Sequence, residues 1–425
     1  MADVGAISSG DTAWVLISAG LVLFMTPGLA LFYGGMVRSK HVLSMLAQNF
    51  ATIAVVSIVW AVAAYSLAFG PDAGGHGFIG TLRLAGLAHP NDPVPGLSLT
   101  VPPLAFVAFQ MMFAIITGAL LTGAGADRMR FGGFLVLIAL WTVVVYAPIA
   151  HWVFSPAGWL AKRGTLDFAG GTVVELCSGA SALALVLVLK PRRGWPREAM
   201  PPHSLPLTVL GAGILWFGWF GFNAGSALAS GALASQALVN TQLAACSGLL
   251  VWIGVEKRSS GHATTLGAAS GAVVGLVAIT PAAGYVNSMA ALLIGALGGL
   301  AGVFAVRLKF RLRYDDSLDV VGVHGVGGLV GMLSLGFLAS ATVNPLIAHR
   351  GLIDGGGFGL LGRQLLAVVT TGGWAFVGTY AVATLVARTV GLRVDERAEQ
   401  IGLDSIVHAE TAYESSTSVG TLTHG

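Results

Sequence analysis

The chain has 425 residues, of which 55% are hydrophobic and 10% charged, with a mean hydropathy of +0.81. That leaves too little polar surface for a water-soluble body, and it excludes a disordered chain, a disulfide-stapled secreted scaffold and a nucleic-acid binder. The 60 glycines follow no three-residue period and suit close packing of membrane helices, while the net charge of +3 sits almost wholly in gaps between apolar runs.

Asp3 and Asp11 precede the first apolar run and Arg38 follows it, the pattern of a first spanning helix that starts outside rather than of a cleaved signal peptide. Crossing about 30 Å of hydrocarbon takes roughly 20 helical residues. Runs of that kind are predicted at Trp14–Tyr33, Phe50–Phe69, Leu104–Gly123, Phe134–Phe154, Thr172–Leu189 and Leu205–Ser226. They continue at Leu238–Glu256, Thr264–Ile279, Ala290–Val306, Val323–Leu338 and Leu366–Ala387, eleven in all. The sixth is interrupted by Trp and Asn and the eighth is short and glycine-rich, so hydropathy alone admits ten to twelve. Charge selects eleven: 17 of the 22 Lys and Arg residues follow odd-numbered helices, and only Arg83, Lys162, Arg163, Arg350 and Arg363 fall on the other side. The positive-inside rule then places the N-terminus outside and the C-terminus in the cytoplasm. The reading is an all-α, multi-pass cell-membrane protein, with a membrane domain over residues 1–390 and a cytoplasmic tail over 391–425 whose last dozen residues are expected to be disordered. In a bacterial source the compartment is the inner membrane.

Ionisable groups inside spanning segments are costly unless they face the protein interior, and there are few. Asp167 stands at the start of the fifth helix, readable as an N-cap or as a group that senses a cation. Asp319, just before the tenth helix, reads as a cap or loop brace. Glu175, two turns into the fifth helix, and His324, at the start of the tenth, both need partners. Their helices are each the fifth in a five-helix half. An odd number of crossings inverts the second half, an arrangement that often places functional groups at the interface of the halves. A Glu175–His324 pair there could hold a shared proton. Aromatics cluster as Phe109, Gln110 and Phe113 in the third helix and as Trp216, Trp219, Phe220 and Phe222 in the sixth, followed by Asn223 and Ser226. Most aromatics of a membrane protein pack or face lipid, but such a cluster lining a cavity binds cations through ring faces. Cys177 and Cys246 lie in apolar stretches and argue against a disulfide framework. No nucleotide motif, zinc-like Cys/His cluster or nucleophile–base arrangement stands out, so neither a cofactor nor enzymatic chemistry is expected.

The segments DFAGGTVVE from Asp167, WFGFNAGSA from Trp219, DVVGVHGVGG from Asp319 and GLDSIVHAETAY from Gly402 resemble the ammonium transporter family, Amt/Mep/Rh, over nearly the whole chain. FYGGMVRSK from Phe32 and GADRMRF from Gly125 point to the Amt/Mep branch. The resemblance implies a homotrimer in the lipid bilayer with one pore per subunit, carrying ammonium or ammonia and also methylammonium. It implies recruitment by Asp167, Ser226, Phe113, Phe154 and Trp219, with Phe113 and Phe222 as stacked gate rings. The tail, here marked by Gly402, Asp404 and Tyr413, would pack on the cytoplasmic face and couple subunits, and a PII-type regulator would be its cytoplasmic partner.

Two departures stand out. Phe154 ends AHWVF where family members usually carry tryptophan, so the cation site loses an indole, and Trp152 or Trp159 could stand in for it. Glu175 occupies the first of two positions that are usually histidine, as in certain fungal members, and only His324 is retained; the two are expected to face each other and relay the proton that ammonium sheds. The sequence leaves open whether transport moves charge, passes only ammonia, or is weak in a protein that serves mainly as a sensor.

Overall fold

The computed structural model describes residues 6–413, so the last dozen residues lie outside the described part. Eleven apolar helices run back and forth: α1 (Ser9–Met36), α2 (Ser39–Phe69), α3 (Pro103–Gly125), α4 (Phe131–Phe154), α5 (Gly171–Leu189) and α6 (Leu205–Gly225), then α7 (Ala232–Ser260), α8 (Thr265–Ile279), α9 (Ser288–Leu312), α10 (Val321–Leu338) and α11 (Gly359–Thr389). Two short helices follow, α12 (Glu396–Ile401) and α13 (Leu403–Val407). Ten of the eleven have at least 18 residues. Helix α8 has 15 and is about 22 Å long. Its residues from Ala269 to Ile279 are almost all buried, so it is packed in protein rather than in lipid.

Several helices reach beyond their predicted ends: α2 begins at Ser39, α7 runs from Ala232 to Ser260, and α11 from Gly359 to Thr389. Hydropathy registers only the apolar stretch, whereas backbone hydrogen bonding carries a helix on into polar residues at the membrane surface.

The two five-helix halves meet through their equivalent members. First helices α1 and α6 lie in contact: a Cβ on Gly211 would come within 2.2 Å of Phe32 N, and one on Gly218 within 2.2 Å of Met25. Fifth helices α5 and α10 cross at Gly179, where a Cβ would lie 2.3 Å from the Gly325 Cα. Only glycine lets the two backbones approach so closely. Both crossing helices open with a π-helical turn, Gly171–Leu176 in α5 and Val321–Gly325 in α10. Glu175 and His324 sit in those turns, and such bulges collect at functional positions.

Most Lys and Arg residues lie on one face of the bundle, and a buried ion network ties its loops together there. Asp315 accepts from Arg192 N (2.7 Å), Nε (2.9 Å) and Nη2 (2.8 Å) and faces Arg128 Nη1 at 3.3 Å. Asp127 lies 3.0 Å from Arg38 and 3.4 Å from Arg192. Burial works against both carboxylates, but the Arg192 and Arg128 charges hold Asp315 below the usual range, and His41, Arg192 and Arg38 do the same for Asp127. Four interhelical loops are thereby joined at one point.

Candidate functional site

Starting from the face opposite the basic one, a cavity of about 90 Å³ opens among Phe106, Gln110, Phe154, Phe168 and Ser226, with Leu97 and Leu228 at its rim. It has room for a small cation and a few waters at about 30 Å³ each. The Ser226 hydroxyl donates to Phe222 O at 2.8 Å, which turns its lone pairs toward the cavity. Gln110 is 7% exposed and its Oε1 has no partner, so a buried acceptor also faces this space. Phe154 packs edge-on against Phe113, with centroids 6.4 Å apart at 80°. Neither Trp152 nor Trp159 borders the cavity: the Trp152 indole donates to Phe78 O at 2.7 Å, and the two indoles pack on each other at 5.9 Å. The ring at the wall of the cavity is that of Phe154.

Behind Phe154 lie Phe113 and Phe222, stacked with centroids 4.2 Å apart and planes 16° from parallel, and Phe222 borders the next cavity. Each is 1% exposed. One turn earlier on α6, Trp219 lies beneath this stack rather than in the upper cavity, its indole donating to Thr280 Oγ1 at 2.8 Å. That bond leaves the indole face toward a narrow lower cavity of about 10 Å³, the threshold for one water-sized molecule. The walls are apolar, among them Met25, Leu29, Ile116, Leu120 and Leu215. Its polar members are Glu175 and His324, whose Oε2 and Nδ1 lie 2.7 Å apart. Both residues are buried, at 1% and 3% exposure. A carboxyl and an imidazole at that distance share one proton, which can rest on either without any other group moving.

Asp167 is not among the residues lining either cavity. Its carboxylate accepts from Gly170 N (2.8 Å), Gly171 N (2.6 Å), Thr172 N (2.8 Å) and Thr172 Oγ1 (2.6 Å), which ties down the first turn of α5. Gly170, at φ 113°, makes the turn that lets the chain fold back over the carboxylate. Asp319 forms a 2.6 Å ion pair with Lys309, the brace expected of it. The cap on α10 belongs instead to Asp316, whose Oδ2 accepts from Val321 N at 2.8 Å.

The tail lies against the basic face of its own chain. Asp404 accepts from Leu43 N (3.0 Å) and Ser44 N (2.8 Å), so it caps the α-helical part of α2 across 360 residues, where the local N-cap His41 makes no bond to its own helix and instead accepts from Leu403 N of the tail at 3.3 Å. Gly402 has φ 130°, and a Cβ there would lie 2.7 Å from the Lys40 Cβ, so only glycine brings α13 this close. Tyr413 Oη lies 2.8 Å from His203 Nε2. Glu399 accepts from Arg193 N (2.7 Å) and Arg393 Nη2 (3.0 Å). Thr280, Asp316 and Glu399 drew no attention in the sequence. The acidic run DDSLD ahead of the tenth helix was a signal for Asp316; nothing local marks Thr280, which meets Trp219 only through tertiary packing.

A family described as the Ammonium Transporter Family matches residues 13–413. The ammonium transporter of Mycobacterium tuberculosis (strain ATCC 25618 / H37Rv) is 46% identical over 447 residues, covering 99% of this chain and 93% of its own. The crystal structure of Saccharomyces cerevisiae Mep2 superposes with a TM-score of 0.86 at 36% identity, over 97% of this chain and 93% of the other. A sensor Amt protein superposes with a TM-score of 0.84 at 29% identity, over 94% and 98%.

Proposed function

Since the chain belongs to the ammonium transporter family, we propose that it moves ammonium nitrogen across the membrane as ammonia, with the proton carried separately through Glu175 and His324. The observation that carries this reading is the 2.7 Å Glu175–His324 contact in an apolar pore directly beneath the Phe113–Phe222 stack. An isolated ammonium ion has no favourable place in such a pore, because removing it from water costs tens of kcal/mol before compensation (order of magnitude). Neutral ammonia can pass with little polar help. Ser226, Gln110 and the rings of Phe154 and Phe113 recruit the cation, and the Phe113–Phe222 stack gates entry. Trp219 presents its face to the molecule as it passes the gate. Asp167 acts through its charge and by holding α5 in register.

The positive-inside pattern assigns the basic face to the cytoplasm and the N-terminus to the outside. Residues 1–390 form the membrane unit, 391–425 the regulatory tail, and three copies assemble as a trimer. Gly402, Asp404 and Tyr413 dock the tail where a PII-type protein would reach it. Methylammonium fits the same chemistry as a second substrate.

Current across proteoliposomes after an ammonium pulse, recorded alongside internal pH, tests the reading. Wild type is expected to give a saturable current that Asp167→Ala abolishes and Glu175→Ala changes in size and pH dependence. Ammonia flux without current would mean electroneutral passage. A second reading, a sensor with weak flux, is favoured by the tail being held at the α1–α2 and α5–α6 connections and by the likeness to a sensor Amt protein. Weak flux together with ammonium-dependent binding of a cytoplasmic partner would select it.

A further inference from the structure

Two segments that border the upper cavity come from different parts of the chain and are fastened at one point. The connection between α2 and α3 brings Leu97 to the rim, and the turn that ends α6 brings Leu228. Asp11, in the first turn of α1, holds both segments. Its Oδ2 accepts from Thr100 Oγ1 at 2.6 Å, and its Oδ1 accepts from Ser230 N and Ser230 Oγ, each at 2.8 Å. Ser8 N adds a bond to Thr100 O at 2.8 Å. Asp11 does not line the cavity itself. With partners a few residues beyond each leucine, its carboxylate sets how far apart the two rim segments stand.

Leu228 holds its place against local strain. Past Gly225 the end of α6 tightens into three successive bonds to the third residue back: Ser226 N to Asn223 O (3.2 Å), Ala227 N to Ala224 O (3.3 Å) and Leu228 N to Gly225 O (2.9 Å). Leu228 then takes φ 55°. A left-handed residue just past a helix is usually glycine, because a Cβ crowds the neighbouring carbonyl. Of the seven non-glycine residues with left-handed backbone among the described residues, Leu228 is the one that borders this cavity. Glycine would make the same turn with less strain but would leave the rim open on that side. A bulky side chain kept in a strained conformation at a ligand cavity suggests a role for the side chain itself.

We propose that Leu228, together with Leu97, is the size-selecting rim of the recruitment cavity, admitting ammonium and methylammonium and keeping out trimethylammonium before it meets the Phe113–Phe222 stack. The inference rests on the upper cavity being the recruitment site. Alkylated ammonium ions carry the same charge as ammonium, and aromatic faces such as those of Phe106 and Phe154 attract them as well. Their rejection therefore falls to a steric barrier, which aliphatic side chains supply without binding the cation. Counting ammonium and each methyl group at about a water's 30 Å³, methylammonium needs about 60 Å³ and trimethylammonium about 120 Å³, against a cavity of about 90 Å³.

Competition separates the rim from the gate, because a cation that enters the cavity occupies it whether or not it passes the stack. Ammonium transport in proteoliposomes, read as current and as internal pH, is titrated with methylammonium and with trimethylammonium. The proteins are wild type, Leu228→Gly, Leu228→Asn, Leu97→Ala and Asp11→Ala. In wild type, methylammonium should compete and trimethylammonium should not. Leu228→Gly should lower the inhibition constant for trimethylammonium at least about tenfold, the discrimination that a single methylene carries in a fitted pocket. Half-saturation for ammonium should move by less than about twofold. Leu97→Ala and Asp11→Ala should act in the same direction, and Leu97→Ala carries the test if Leu228→Gly fails to fold. Asparagine accepts the left-handed backbone and keeps a side chain of similar size, so Leu228→Asn should still exclude trimethylammonium. Equal inhibition of the asparagine and glycine variants would assign the effect to relaxed backbone and overturn the filter. Competition by trimethylammonium in wild type, or its continued exclusion in both Leu228→Gly and Leu97→Ala, would overturn this inference alone. Wild-type transport of ammonium that does not saturate and is not inhibited by methylammonium would overturn the recruitment site, and the rim with it.

Discussion

Asp315 on the basic face and Glu175 in the pore are hidden from solvent to the same degree, at 2% and 1% exposure, and are bonded in opposite ways. Asp315 takes three donors from Arg192 and faces Arg128, itself wholly buried. Glu175 has one side-chain hydrogen bond among the described residues, to a ring that can carry the same proton. A carboxylate surrounded by cationic donors is locked in its charged form and works as a clamp. One with a single proton-exchanging partner can change state, because neither form leaves a network broken. Asp167, with four donors, falls with Asp315; Asp316, with an orphaned oxygen, falls nearer Glu175.

The largest effect should come from breaking the clamp. Asp315→Ala leaves Arg128 buried without its counter-ion and Arg192 with only the 3.4 Å contact to Asp127, and should cost about 3–5 kcal/mol, read as a lowered unfolding temperature in detergent. Glu175→Gln, nearly isosteric and still able to bond to His324, should cost less than about 1.5 kcal/mol while impairing current. Equal losses would erase the distinction between the two sites. Acid should separate them as well. The folded-state pKa of Asp315 and Asp127 is lowered, so their stabilisation is fully present above the usual carboxylate range and is lost as pH falls through the lowered values.

A smaller effect is expected at the tail. Asp404→Ala removes a helix cap worth about 0.5–2 kcal/mol. Hydrogen exchange at Leu43 and Ser44 should quicken, with the pore helices α5 and α10 unchanged. Protection that stays the same at these two amides would mean that the tail contributes no cap and that its docking rests on Glu399 and Tyr413.

Helix number and the alignment of the two halves were legible because both leave one-dimensional traces, an apolar run and the side on which arginine and lysine accumulate. The meeting of Glu175 with His324 was legible only through the pseudo-symmetry, since 149 residues of separation carry no information about distance. Helix ends were not, because backbone hydrogen bonds outlast the apolar stretch at Ser39 and at Ala232. Trp219 illustrates another limit: its motif places it beside Phe222, but one helical turn decides whether it stands above or below the stack. Asp316 was passed over because, in a loop sequence, an acidic residue looks solvated. Only the fold shows it buried, at 1% exposure, with one oxygen on Val321 N.

The smallest and sharpest effect concerns the upper cavity, where Phe154 provides the ring. Indole has the stronger attraction for a cation, and a whole cation–ring contact at an exposed site is worth about 0.5–1 kcal/mol, which bounds its advantage over phenyl. Phe154→Trp should therefore tighten half-saturation for ammonium by up to about fivefold. It acts on binding above the gate and not on the proton path, so the pH dependence of the maximal current should stay as it is. Trp152→Phe is the matching control: its indole is committed to Phe78 O and lies off the cavity, so half-saturation should not move. A shift with Trp152→Phe and none with Phe154→Trp would mean that the cation is held against the Trp152–Trp159 cluster, and the vestibule would have to be redrawn around those rings.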